Sequence, residues 1–382
     1  MAQKMNGQVS FLMEFKERYT QAIIGQGAGV VGLILPSKIN TSFTTKKYYT
    51  LADVKAADWS PEIYKLFKEL VFRGVPTKVI AYRIEEAPDS GYVDMTHLSG
   101  PYKYLSKICD YIAYPGGKED EHDALVGMVK KDRVIDKLIN PFQKPIKLVV
   151  ATSTSPDSPY IINLKQKHTV NEIEFTSSQY TGCIVGCIAG VGLANGSMTY
   201  YKQPWVESVE ESTDINADVG NGYLITVADT DGENLVYRTE RGINSFITPI
   251  ENMGRTFSKI RCIELMDINL KDIQYTYKNY YIGKRKNTYA NKMAFAGAVN
   301  AYLKMFMTNG DLDTNYGNNM IVDSNANKTW ALGNGKITEG EAAKMDDYRA
   351  RRLNTKDKSF YRILEYTPVD VMEDAEVIVE VI

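Results

Sequence analysis

Histidine is the scarcest chemistry-bearing side chain in this 382-residue sequence, with three occurrences: His97, His122 and His168. General acid–base catalysis and zinc sites both lean on imidazole, so the scarcity argues against an enzyme of either kind. Cysteine is nearly as rare. Cys109, Cys183, Cys187 and Cys262 are too few and too scattered for a disulfide framework. Cys183 and Cys187 lie four apart among Gly, Ala and Ile; with no His or Cys pair nearby they read as small core residues rather than half of a metal site. Charge of one sign is also missing. With 45 Lys and Arg against 47 Asp and Glu the net charge is −2, which argues against a nucleic-acid binder, whose surface needs to be basic. No apolar run reaches the length of a membrane span. The first residues lack the charged-then-apolar plan of a signal peptide, so a cytoplasm is the expected place of synthesis and residence.

What is present is an ordinary globular composition, 44% hydrophobic and 24% charged, over a length that accommodates two or three domains. Tyrosine is abundant at 26 residues, and its area plus hydroxyl suit protein–protein surfaces as well as cores. The last eight residues alternate: Ala375, Val377, Val379 and Val381 face one way, Glu376, Ile378, Glu380 and Ile382 the other. Period-two alternation of β-branched residues is a strand signal, yet a bare apolar edge at a chain end is an aggregation hazard. Such a segment must pair, either with its own sheet or with another subunit's. Val9, Phe11 and Met13 alternate in the same way near the N-terminus and read as a second strand arm.

Between the arms the pattern predicts a multi-domain α/β and α+β chain. Residues 1–20 form the N-terminal arm and 21–95 a β-rich domain. An α/β middle domain follows over 96–248, then an α+β domain over 249–368 and a C-terminal strand arm over 369–382. Residues 60–74 spell a helix, with Ser60 as N-cap, Pro61 at the first position, Gly74 at the end and Ile63, Leu66, Phe67, Leu70 and Val71 as its buried stripe. Residues 179–191 predict a small-residue helix that permits close packing. Residues 223–238 predict a hairpin. Residues 258–265 read as a strand before a helix over 268–281, 311–335 as a polar loop, and Thr338 with Glu341 as a capping box opening a helix that runs to Arg352.

Three chemical constellations need weighing. Gly27, Gly29 and Gly32 fit G-x-G-x-x-G, but that fingerprint must open a helix, whereas residues 30–35 are β-like and stop at Pro36. Asp94, His97 and Ser197 can be drawn into a serine-hydrolase triad, although Ser197 fits better as the cap of a turn. Asp229, Asp231 and Glu233 can ligate calcium, but read more simply as a solvated hairpin turn. An α/β enzyme built on the glycine turn or on Ser197 is therefore the alternative to a structural role.

Taken in order, several segments resemble contractile tail sheath proteins of the phage, prophage and R-type bacteriocin kind. FRGVPTKV at 72–79 resembles the family's glycine–proline turn into a strand. GCIAG at 186–190, followed by NGSMTY at 195–200, is similar to its small-residue helix and following turn. RGINS at 241–245, with Arg241, Gly242, Asn244 and Ser245, resembles its R-G-V-N-S loop and is the most specific match. Residues 261–272 and YIGKRKN at 281–287 resemble its Asp-bearing segment and connection. The resemblance implies a middle domain of subtilisin-like fold without catalysis, and no cofactor. It also implies hexameric rings stacked around a tail tube, with baseplate and terminator proteins at the ends. Terminal arms, here Val9, Phe11, Met13, Val377, Ile378, Val379, Val381 and Ile382, extend neighbours' sheets. Contraction drives the tube through a target envelope, in a virion or tail-like particle assembled in a bacterial cytoplasm. Lys284, Arg285, Lys286, Arg349, Arg351 and Arg352 read either as solvated surface or as groups facing an acidic tube. A joint near Pro368 is expected to free the C-terminal arm.

Overall fold

A computed structural model of the chain describes residues 29–39, 42–86, 94–133, 144–193, 196–251 and 253–380. The arm residues Val9, Phe11, Met13, Val381 and Ile382, and Gly27, lie outside them. The described chain falls into two compact units, one of residues 27–267 with 370–382, the other of residues 268–369.

The first unit is organised by a seven-stranded sheet. In chain order its elements begin with β1 Val30–Pro36, β2 Thr45–Tyr48, α1 Pro61–Leu66 and β3 Lys78–Ile84. Next come α2 Thr96–Ile108, β4 Tyr111–Ala113, α3 Glu119–Asp132, β5 Lys147–Val150 and β6 Ile161–Leu164. Strands β7 His168–Val170 and β8 Ile173–Phe175 precede α4 Ser177–Val191; β9 Ser208–Val209, α5 Ile215–Gly220, β10 Tyr223–Leu224, β11 Thr226–Asp231 and β12 Asn234–Thr239 complete the run. The sheet order is β10-β6-β5-β4-β1-β3-β2, parallel throughout except for β2 on β3. Parallel pairing demands crossovers that cover both faces. One face packs Ile34, Ile80, Ile112 and Leu148 against Leu98 and Leu105 of α2 and Leu125 and Val129 of α3. The other packs Val31, Leu33, Val79 and Val149 against Phe67, Leu70, Tyr180, Cys183 and Cys187. The boundary expected near residue 95 does not divide this sheet. β1 is central, hydrogen-bonded to β3 on one side and β4 on the other, so residues before and after 95 share one core.

Two of the fingerprint glycines now have packing roles. A Cβ on Gly32 would come within 2.9 Å of Cys109 Sγ, and one on Gly29 within 2.6 Å of the Ala189 carbonyl oxygen. The chain after them continues as a strand, so the context that a dinucleotide turn requires is absent. The tightest seam joins α4 to the 72–75 turn, where a Cβ on Gly190 would sit 1.6 Å from the Gly74 carbonyl oxygen.

The segment at 258–265 is not a strand. It lies almost entirely in one continuous helix, α6 Ile260–Tyr280. Its alternation misled because nearly every residue from Ile260 to Asp267 is buried, Glu264 and Asp267 included, and full burial erases the 3.6-residue period. The second unit continues with α7 Tyr289–Thr308, β13 Asn319–Val322, α8 Ser324–Gly333, α9 Glu339–Lys344, α10 Asp347–Arg351 and β14 Tyr361–Leu364. The loop expected over 311–335 thus holds a strand and a helix. β13 and β14 pair antiparallel as a two-stranded sheet. Asn300 of α7 locks onto it, donating to the Met320 carbonyl at 3.1 Å and accepting from the Met320 amide at 2.6 Å. Tyr277, Tyr281, Phe295 and Tyr361 form the aromatic centre, with centroids 4.8–6.5 Å apart.

Candidate functional site

The RGINS loop follows β12 and is bonded almost residue by residue into the first unit. The Asn244 side chain donates to the Phe257 carbonyl at 2.8 Å and accepts from the Phe246 amide at 3.0 Å. Ser245 donates its amide to the Ile161 carbonyl at 2.8 Å and its hydroxyl to the Ser158 carbonyl at 3.1 Å. Gly242 gives its amide to Thr199 Oγ1 at 2.8 Å, an approach a side chain would obstruct, since a Cβ there meets the Thr199 amide nitrogen at 2.8 Å. Thr199 is itself held by the turn that Ser197 caps, the Thr199 amide donating to Ser197 Oγ at 3.1 Å.

Arg241 is the member of the loop that reaches outward, and it takes hold of the chain's C-terminal segment. Its guanidinium donates to Glu373 Oε2 and to Asp374 Oδ1, each at 2.7 Å. Thr199 Oγ1 donates to Glu373 Oε1 at 2.8 Å. Lys259 Nζ pairs with Glu373 and lies 3.8 Å from an Asp370 oxygen. One carboxylate therefore collects three donors from parts of the chain far apart in sequence. Burial works against the Glu373 charge, but the hydrogen bonds from Lys259 and Thr199 and the cations beside it hold the carboxyl below its ordinary 4.5. The Arg241 bond holds the Asp374 carboxyl below its usual value, and Asp374 in turn raises the guanidinium's.

Past this clamp the chain changes character. Residues 375–380 are all exposed and adopt no regular secondary structure; Val377, Ile378 and Val379 are 80%, 82% and 76% exposed. Among the described residues they join no strand of their own subunit. Pro368, where a joint was expected, is fixed: it bridges to Leu312, with the flanking Thr367 carbonyl and Val369 amide bonded to the backbone of Asp313 and Asp311. The exposed stretch past the clamp begins at Ala375 instead.

The start of α6 is anchored beside the same loop. The Ile260 amide donates to the Gly242 carbonyl at 3.0 Å, and Arg261 donates to the carbonyls of Leu193 and Gly196 at 2.7 and 2.9 Å. Deeper, Glu264 takes Lys147 at 2.8 Å and the Tyr111 hydroxyl. Asp267 takes Lys147 at 3.1 Å and both ends of the Arg133 fork at 2.6 and 2.8 Å. Burial opposes the Asp267 charge, yet Arg133 and Lys147 hold it ionised, its value lowered from 3.8. Charges this deep are tolerated only because each is paired and hydrogen-bonded.

The structure brings together Arg241, Gly242, Asn244, Ser245 and Ser197, and adds Thr199, Lys259, Glu373 and Asp374, which sequence reasoning did not single out. A signal existed for the last two: residues 370–382 hold five carboxylates and no base. Asp94, His97 and Ser197 are not a triad. The Ser197 hydroxyl bonds to Thr199, while the His97 ring meets Glu121 Oε1 at 2.9 Å and the Asp94 carbonyl at 3.1 Å. At the hairpin, Asp229 accepts from Arg238 at 2.9 Å and Tyr200 at 3.0 Å, and Asp231 from Lys202 at 2.8 Å. Cys183 and Cys187 are buried core residues of α4. In the second unit Lys284, Arg285 and Lys286 are exposed on the turn before α7. Arg349 and Arg351 end α10, Arg351 lying 3.7 Å from Asp347, and Arg352 stacks on Tyr348 and Tyr289 with its guanidinium carbon 3.3 and 4.5 Å from the ring centres. That stacking places the two basic groups at the same end of α7. No described helix is long and apolar enough to cross a membrane.

No protein-family model matches the chain. A tail sheath protein of Clostridium phage phiCD119 is 29% identical to it, over 98% of this chain and 100% of the relative. Among solved structures, a sheath tail protein from Desulfitobacterium hafniense superposes with a TM-score of 0.62 at 13% identity, covering 78% of this chain and 90% of that one. The helical sheath of the anti-feeding prophage in its contracted state gives a TM-score of 0.61 at 13% identity, covering 94% and 93%. At such identities the structures speak for the fold alone. The resemblance to contractile tail sheath proteins thus extends along nearly the whole chain, in sequence to a phage relative and in fold to sheath subunits.

Proposed function

We propose that this chain is a non-enzymatic subunit of a contractile tail sheath, polymerising with copies of itself as stacked hexameric rings around a tail tube. The observation that carries the reading is the exposed segment at 375–380, rooted by Arg241, Thr199 and Lys259 and without a strand partner among the described residues of its own chain. A head-to-tail contact between identical subunits builds rings or helices according to its rotation, and a donated strand is such a contact. The acceptor we assign is β13–β14, one of two two-stranded sheets among the described residues and the one in the basic second unit, since a two-stranded sheet is marginal alone. Each backbone hydrogen bond of the added strand contributes about 0.5–1.5 kcal/mol net, and the arm's valines add roughly 25 cal/mol per Å² buried. Ordering the arm offsets part of this at about 1–2 kcal/mol per residue. A lattice repeats the surplus at every subunit, and arms that stay paired keep it connected while rigid bodies rotate during contraction.

The same reading assigns the middle of the chain a subtilisin-like fold without catalysis and gives the N-terminal arm at 1–20 a donated-strand role. The basic residues at 284–286 and 349–352 face an acidic tube, baseplate and terminator proteins hold the ends, and contraction drives the tube through a target cell envelope. The particle, a phage tail or a tail-like machine, is assembled in a bacterial cytoplasm. The test is removal of residues 375–382, which spares the clamp. Soluble subunits with unchanged thermal stability and no hollow tubes by electron microscopy are expected; tubes formed by the truncated chain would overturn the proposal.

A further inference from the structure

In the second unit, Lys292 lies on the first turn of α7 and is 3% exposed. Its ammonium donates to Thr355 Oγ1 at 2.7 Å, and the Thr355 hydroxyl gives its own proton to the Lys358 carbonyl. No carboxylate among the described residues pairs with it. A buried ammonium with one neutral partner is costly, and burial pulls its pKa below the ordinary 10.5. The surroundings add to the difficulty. Asn287 donates to the carbonyls of Lys356 and Lys358, both at 2.7 Å, drawing that basic turn against the basic 284–286 segment. Across residues 268–369 there are sixteen Lys and Arg against ten Asp and Glu, a net charge of +6.

The free arm has the complementary character. Of the five carboxylates in residues 370–382, Asp370, Glu373 and Asp374 sit at the clamp, leaving Glu376 and Glu380. Both are exposed, with no ion pair among the described residues. Four positions apart, they would share one face once the segment is extended as a strand, about 13 Å from each other. Position agrees with charge. Lys292 precedes Phe295 by one helical turn, the Phe295 ring lies 5.1 Å from that of Tyr361, and Tyr361 opens β14 directly after the 355–358 turn. Among the described residues β14 pairs with β13 alone. A strand added along its open edge runs past that turn.

We propose that the Lys292 ammonium is completed on assembly by Glu376 or Glu380 from the C-terminal arm of a second copy of this chain. The inference rests on the arm-donation reading and adds the residue that recognises the arm. The test measures the thermal midpoint of the unassembled full-length subunit and the critical concentration for assembly, by sedimentation and electron microscopy. Lys292→Met removes the buried charge at similar volume, so the lone subunit should melt at the same or a higher temperature while the critical concentration rises about tenfold or more. Glu376→Gln and Glu380→Gln change exposed side chains; the one that supplies the partner should raise the critical concentration similarly, and adding it to Lys292→Met should cost nothing further. Unchanged assembly of Lys292→Met overturns the pairing, as does full additivity with both arm variants. If assembly survives removal of 375–382, the arm-donation reading fails as well; if truncation abolishes assembly while Lys292→Met does not affect it, that reading stands and the pairing alone falls.

Discussion

Glu373 is the residue on which the root of the arm depends, because one carboxylate serves Thr199, Arg241 and Lys259 together. Its pKa is lowered in the folded chain, so the stability it contributes is fully present above the ordinary 4.5 and is lost as pH falls through the lower bound value. Backbone NMR order parameters at 370–374 should therefore fall as the pH drops below the ordinary carboxylate range, while the rest of the first unit stays rigid. Glu373→Gln should show the lowered order parameters already at neutral pH, and unchanged values in that variant would contradict the clamp. Asp267 is the deeper counterpart. Asp267→Ala leaves Arg133 and Lys147 buried without their shared partner and should cost about 3–5 kcal/mol by urea unfolding. Arg241 and Ser245 were legible as part of a distinctive run. Glu373 and Lys259 were not, for they are 114 positions apart and an ion pair at that distance leaves no local pattern.

At the level of elements, legibility followed the strength of the local signal. The helix expected over 60–74 is present over 61–71, where Pro61 and an unbroken apolar stripe agree with its packing, although Ser60 at the N-cap makes no side-chain capping bond and residues 67–71 widen into a π turn. The Thr338 box is formed as expected, its hydroxyl accepting from the Glu341 amide. The helix it opens stops at Lys344, and Asp346 caps a separate α10, a break hidden by the continuous polar composition. The strand and helix within 311–335 were hidden likewise: Asn319–Val322 is too short for alternation to declare itself, and α8 is capped by Asp323 within an Asn-rich stretch that composition alone assigns to loop. The α4 seam was partly legible as small residues at 182, 186 and 190. Its partner, the carbonyl of Gly74, required the fold. Gly190→Ala forces a methyl group to within 1.6 Å of that oxygen, so backbone must move. Overpacking typically costs 1–3 kcal/mol; a backbone clash with no rotamer to relieve it should reach about 3 kcal/mol or more, read as a lowered urea midpoint at unchanged slope.

For the whole molecule, the near-neutral total conceals a segregation. Residues 268–369 carry +6, so with the chain at −2 the remainder carries −8, from 29 Lys and Arg against 37 Asp and Glu. Like copies packed by a head-to-tail contact can set opposite charges against each other, while a lone subunit has its charges screened in solvent. The arm that would make the contact is both acidic and apolar, and salt separates the two contributions. Screening at the 8–10 Å Debye length of physiological buffers already weakens exposed pairs, whereas burial of valine is not weakened by sodium chloride and is strengthened by sulfate. Raising sodium chloride from about 0.05 to 0.5 M should therefore raise the critical concentration for assembly. Sodium sulfate at matched ionic strength should raise it less, because stronger burial of Val377 and Val379 opposes the loss. A critical concentration insensitive to chloride would mean that the segregated charge plays no part in holding copies together, and that backbone pairing and apolar burial of the arm suffice.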